Sequence, residues 1–299
     1  MAKCFISLLA YIFMVLESIF KTKALLNSHL LFLLYTVIVA VISIAVSVIF
    51  FKESASILSI AFITFAFMYF LNNVYFHTEK EVLSHETSFF RRYLFVIEIY
   101  VKIFVVLVIV FTTLYIFLPQ DYRDVVFKEQ VKTLEGVDNL RSSLFITGNM
   151  YVESPSDLFL YIFLNNLGVM FAILLFSFLY GVGALFIIVY QASVFGTVVG
   201  TKILSEVPNY IGQGAYGHVL AIVQGYIAGL GLLPHGVFEL LSYFLAAVVG
   251  GIVSAILHGH YVEVRRNFMR LILDLSIILG VAIVCLVIGA LIEANIILS

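Results

Sequence analysis

Charge is what this chain has least of. Only 11% of its residues are Asp, Glu, Lys or Arg, against 63% hydrophobic, and the mean hydropathy is +1.14. The formal net charge is -2 and the basic residues are scattered, which excludes a nucleic-acid-binding surface. Cysteine is nearly absent. Cys4 stands before the first apolar run and Cys285 inside the last, so no disulfide framework can form. Glycine is missing from the whole first part, since none of the 19 precedes Gly136 and nearly all lie from Gly168 onward. Small residues let membrane helices approach closely. The second half should therefore be a tight bundle, and the first half a looser one filled with Phe, Leu and Val.

What remains is a series of uncharged apolar runs, several of them near the ~20 residues that a helix needs to cross ~30 Å of hydrocarbon. The expected fold class is all-α: a polytopic transmembrane helical bundle of about seven spans, bounded by six and eight, plus an N-terminal interfacial helix. Three segments are expected. Residues 1–28 form the interfacial amphipathic helix, 29–92 an N-terminal transmembrane hairpin with its cytoplasmic connection, and 93–299 a membrane domain with an external loop at 119–157.

Met1 to Lys23 has the basic start and apolar middle of a signal peptide, but no small-x-small cleavage site follows and Glu17 and Lys21 interrupt it. It should be retained. Lys3, Ser7, Ala10, Met14, Glu17 and Lys21 recur at helical spacing as a narrow polar stripe, which suits a helix in the interface, the alternative being an eighth span. Leu30 to Phe50 and Ala55 to Phe76 form spans one and two around the turn Phe51-Lys52-Glu53-Ser54. In the polar stretch beyond, His77, Glu81 and His85 share a helical face at a spacing that suits a metal, yet no further ligand is evident, so a solvated helix is expected and no metal or cofactor. Span three is Tyr93 to Leu118, closed by Pro119, with Glu98 and Lys102 spaced to pair. Gln120 to Asp157 is the one sizeable water-exposed segment. Within it Phe127, Val131 and Leu134 mark an amphipathic helix that Gly136 could cap, either a docking surface or a helix packed on the bundle.

Leu158 to Leu204 carries Lys202 as its sole formal charge and is too long for one simple span. Gly181-Val182-Gly183 is either a turn between two spans or a kink in one tilted helix. Charge favours one span, because Lys3, Lys21, Lys23, Lys80, Arg91, Arg92, Lys202, Arg265, Arg266 and Arg270 then all fall on one side, as the positive-inside rule asks. The expectation is a cell-membrane, multi-pass protein with a cytoplasmic N-terminus and an external C-terminus. Its last spans are near Tyr216 to Leu233, Gly236 to Leu257 and Leu271 to Ile292.

Pro234-His235-Gly236 and Glu239 interrupt the apolar runs Val219 to Leu233 and Leu240 to Ile256. Pro234 should open a helix, where its missing amide hydrogen costs nothing, with His235 and Glu239 on one face. Ionisable groups at membrane depth usually face protein or water, which makes this stretch the default site. The candidate polar cluster is Asn165, Asn166, His218, His235, Gly236 and Glu239. No catalytic residue is assigned, since neither HExxH nor GxSxG is present. The first reading is a structural clasp with His235 bonded to Glu239. Gly181 and Gly183, the Gly196-x-x-x-Gly200 pair and the Gly225-x-x-x-Gly229 pair are expected to be helix-packing faces, within the chain or in a homo-oligomer.

Phe163-Leu164-Asn165-Asn166, the Gly181-x-Gly183 hinge, the Gly196-x-x-x-Gly200 helix and Leu233-Pro234-His235-Gly236-x-x-Glu239 together resemble the stage II sporulation protein M family over about residues 93–297. Where many relatives carry Asn-Gly after the hinge, this chain has Gln191-Ala192. The resemblance implies a non-enzymatic membrane scaffold, similar to a platform that holds cell-wall hydrolases at an engulfing membrane. Its partners would be the lipid bilayer and membrane or extracytoplasmic proteins. The rival reading is a small-solute transporter using a polar outer-leaflet cavity around Asn165, Asn166, His218, His235 and Glu239.

Overall fold

A computed structural model describes residues 22–84, 89–135, 155–180, 183–210, 214–231, 234–258 and 261–298. Among them there is no strand, as lipid demands of an open chain whose backbone groups must all be satisfied internally. The helices in order are α1 (Thr22–Asn27), α2 (His29–Phe50), α3 (Ala55–Ser84), α4 (Phe89–Phe117), α5 (Gln120–Val126), α6 (128–135), α7 (Pro155–Tyr180), α8 (Ala184–Glu206), α9 (Gly214–Gly231), α10 (Pro234–His258) and α11 (Tyr261–Leu298). Short 3-10 turns at Lys52–Ser54 and Val207–Tyr210 serve as connectors. Most of the interfacial helix expected for 1–28 falls outside the described residues, as do Gly136, Gly181, His85 and the side chains of His77 and Glu81.

Among the described residues, seven helices are long and apolar enough to cross a bilayer: His29–Phe50, Lys52–Tyr75, Tyr93–Phe117, Ser156–Leu179, Ala184–Tyr210, His235–Leu257 and Leu271–Ile297. The number agrees with the sequence reading, but the membership does not. Leu158 to Leu204 is not one kinked span; it is two separate helices, α7 and α8. Gly183 makes the break tight, because a methyl group there would run into the carbonyl of Phe176. The expected span Tyr216 to Leu233 is α9, which misses the set because His218, Gln224 and its glycines lower its hydropathy. Alternating sides along these seven spans also moves Lys202 away from the side of Arg265, correcting the charge argument that favoured a single span.

The bundle is organised around α10, 78% of whose spanning stretch is buried. It touches α3, α4, α7, α8 and α11. Aromatic rings join it to its neighbours: Phe244 stacks on Tyr100 of α4 and meets Phe104 edge-on, and Phe104 meets Phe195 of α8 the same way. One hydrophobic core runs from Leu25 to Leu286 and takes in the first hairpin with the rest.

Glycine sets the close approaches that the small-residue patterns predicted. A methyl on Gly196 would lie 2.6 Å from Phe111 Cβ, and one on Gly200 2.7 Å from Tyr115 Cδ1, so α4 and α8 run parallel with backbones in near contact. Gly225 and Gly229 meet Ile203 and Val199, which lays α9 antiparallel on the second half of α8. Both GxxxG pairs therefore pack within the chain. Gly214, at a φ of +61°, makes the left-handed turn from which α9 departs.

Residues 120–135 are not a free external loop. Beyond Pro119 the chain folds back and buries Val126 and Phe127, the ring of Phe127 meeting Phe111 and Tyr115 edge-on. Val131 packs on the core as well. The amphipathic helix read from Phe127, Val131 and Leu134 is thus a packing element.

Candidate functional site

The polar cluster forms where the start of α10 meets α7 and α11. Pro234 opens α10, as its ring geometry favours. Glu239 and Tyr243, four residues apart, then share one face of that helix. Both reach Asn166 on α7. Asn166 Nδ2 donates to Glu239 Oε1 at 2.6 Å, and the Tyr243 hydroxyl donates to Asn166 Oδ1 at 3.0 Å. One amide thereby joins a carboxylate and a phenol, using both its ends. Asn166 and Tyr243 are buried and Glu239 is partly so.

On its other side Glu239 faces Glu293 of α11, carboxyl toward carboxyl. Gly289, one turn before Glu293, admits the approach: a Cβ there would lie 3.1 Å from Glu239 Cγ and 3.3 Å from the His235 carbonyl. The Ser242 hydroxyl donates to the Glu239 carbonyl at 2.7 Å.

Of the six residues proposed from sequence, the structure gathers His235, Gly236, Glu239 and Asn166 at this junction. It does not gather the other two. Asn165 is exposed on the opposite side of α7, because neighbouring residues in a helix do not share a face. His218 is exposed on α9, a helix that packs chiefly on α8, and so supplies no third ligand to the junction. Among the described residues no three His, Cys, Asp or Glu side chains are placed to hold a metal ion. Tyr243 and Glu293 were missed. Tyr243 carried a signal in its four-residue spacing from Glu239, whereas Glu293 lay just past the end assigned to the last span.

Two further polar ties cross the bundle. Gln130, on the folded-back α6, accepts from Ser56 of α3 at 2.8 Å and donates to Ser193 of α8 at 2.9 Å. Deeper in, the hydroxyls of Tyr75 and Tyr100 are 2.8 Å apart, and Tyr75 and Ser177 both donate to the carbonyl of Ala247, at 3.0 and 2.9 Å. Gly250 and Gly251 give these donors room, since methyl groups there would meet Ser177 and the Tyr75 ring. On α4, Glu98 and Lys102 form the ion pair their spacing predicted.

No curated protein and no solved structure matches this chain. The family model described as Stage II sporulation protein M matches residues 28–296, which takes in the first hairpin as well as the segment bearing the motifs. With the asparagine of α7 joined to the glutamate that follows Pro-His-Gly, and a match over nearly its whole length, the chain belongs to the stage II sporulation protein M family of membrane proteins.

Proposed function

We propose that this protein is a non-enzymatic membrane scaffold that organises partner proteins at the bilayer. The observation behind it is that, among the described residues, three sets of buried polar groups bond one another from helix to helix. Asn166 ties Glu239 and Tyr243, Gln130 ties Ser56 and Ser193, and Ala247 receives Tyr75 and Ser177. Each tie joins different helices, which suits a rigid frame. A carrier would instead hold such groups toward a solute path between its spans. The packing of residues 120–135 narrows the recruiting surfaces to residues 136–157 and the lipid-facing sides of the spans. Of these, α7 is the most open, with 28% of its spanning stretch buried.

In this reading the N-terminus is cytoplasmic and the C-terminus external. With Lys23 before the first span, the connections that carry Lys80, Arg91 and Arg92, and Arg265, Arg266 and Arg270, fall on the same side of the seven spans, which the positive-inside rule makes the cytoplasm. The facing carboxyls of Glu239 and Glu293 favour a second reading, a carrier of protons or small solutes.

Thiol labelling separates the two. In a chain carrying Cys4→Ser and Cys285→Ala, Asn166→Cys should resist a membrane-impermeant reagent as long as the bundle is folded. Rapid labelling would defeat the scaffold reading and support transport. Chemical cross-linking in native membranes should then capture a discrete partner whose yield falls when residues 136–154 are replaced by a short Gly-Ser linker.

A further inference from the structure

A groove of about 340 Å³ opens between α7, α10 and α11. Its walls are apolar, with Phe171, Phe178, Val253, Ile272 and Leu275 among them, and Ser276 the one hydroxyl-bearing side chain. Phe171, Phe178 and Ile272 are 62%, 40% and 41% exposed, so the groove opens sideways out of the bundle. All three helices contribute through their spanning stretches. The groove therefore faces hydrocarbon.

Its size and its position select an occupant. An apolar cavity of ~150 Å³ accepts a benzene ring. Twice that volume suits a flexible hydrocarbon chain of roughly a dozen carbons. The groove also lies toward the C-terminal ends of α7 and α10 and the N-terminal end of α11. At that end the first turns of α11, before Leu271, carry Arg265, Arg266 and Arg270 against one acid, Glu263. Basic residues beside a membrane favour anionic headgroups, by a factor of roughly five for each net positive charge.

We infer that the groove between α7, α10 and α11 is a binding site for an anionic glycerophospholipid, one acyl chain lying along Phe178 and Leu275 and the headgroup at the arginine-bearing start of α11. The groove shares no lining residue with the Asn166–Glu239 junction, which lies nearer the N-terminal sides of α7 and α10. It would hold a lipid whether or not the protein recruits partners.

The chain has no tryptophan, so Phe178→Trp provides a lone fluorophore in the groove and Phe65→Trp one on an exposed face of α3. The full-length protein is reconstituted in phosphatidylcholine vesicles containing brominated phosphatidylglycerol, and in vesicles with the bromine on the phosphatidylcholine instead. At Phe178→Trp the brominated phosphatidylglycerol should quench as though enriched roughly fivefold or more over its mole fraction. At Phe65→Trp quenching should follow the mole fraction. Changing Arg265, Arg266 and Arg270 to Gln should abolish the preference while brominated phosphatidylcholine still quenches. High salt should weaken it in the unsubstituted arginine background, which covers the case in which the triple variant fails to insert. Equal quenching at the two sites would overturn the proposal, as would a preference that survives both arginine loss and salt. Absence of quenching by either lipid at Phe178→Trp would also overturn it, because protein, such as a second copy, would then fill the groove.

Discussion

Replacing Asn166 by alanine should destabilise the bundle more than any other single polar change on α7. The side chain holds the 2.6 Å bond to Glu239 and the 3.0 Å bond from Tyr243. Its loss leaves a carboxyl oxygen and a phenol without those partners in a site closed by α7, α10 and α11. A buried group that loses its partner costs about 1–3 kcal/mol. Interhelical bonds within membranes are weaker, near ~0.6 kcal/mol on average, because the separated helices find other partners. Two such losses therefore give about 1–4 kcal/mol, read as a lower unfolding midpoint in detergent. Asn165→Ala is the control, since Asn165 is exposed, and it should stay within about 0.5 kcal/mol of the parent. The cycle with Glu239 is sharper. Glu239→Gln keeps an acceptor for Asn166 and offers a donor to Glu293, so it should cost less than Glu239→Ala. The double change Asn166→Leu with Glu239→Leu should recover part of the loss, because replacing both partners of a buried pair costs less than orphaning one. If Asn166→Ala and Asn165→Ala melt alike, the junction is not a clasp and the structural account of it is wrong.

Gly251→Ala should lower the midpoint by the equivalent of about 1–3 kcal/mol, as overpacking does, because the added methyl would sit 2.5 Å from the Tyr75 hydroxyl; Gly280→Ala, with nothing within 4 Å, should be close to neutral in the same melt. Gln130→Ala should cost about 1–3 kcal/mol by taking away the acceptor of the Ser56 hydroxyl and weakening the hold on Ser193, and should speed proteolysis within residues 120–135 if that segment depends on the tie. Cysteines replacing Arg265 and Asn139 should label from opposite sides of the membrane, and one at Lys202 should label from the side of Asn139. Labelling of Arg265 and Asn139 from one side would refute the seven-span order.

The sequence by itself determined the class of the molecule and the place of its principal polar site, but the spans only within one or two of their number and not their membership. Long runs without charge can persist only in lipid, and Pro234, Gly236 and Glu239 announce an interruption there without help from neighbours. The glycines at 196, 200, 225 and 229 also announced close helix contacts. Which side of each helix faces protein was legible only in part. Lipid chains are as apolar as leucine, so a spanning helix needs no polar stripe on its outer side, and the periodicity that sorts faces in water is weak. That is why Asn165 and Asn166 could not be told apart until α10 was seen to pack on α7 and bury the second of them. It is also why Leu158 to Leu204 could be read as one helix, the close contact of Gly183 with Phe176 being a three-dimensional fact. The return of residues 120–135 onto the bundle belongs to the same group. A polar segment after Pro119 looks solvent-bound, and only Ser56 and Ser193, far away in sequence, supply the partners that let Gln130 be buried. Glu293 joined the site for the same reason, because α11 runs antiparallel to α10 and Gly289 leaves room for Glu239 beside it.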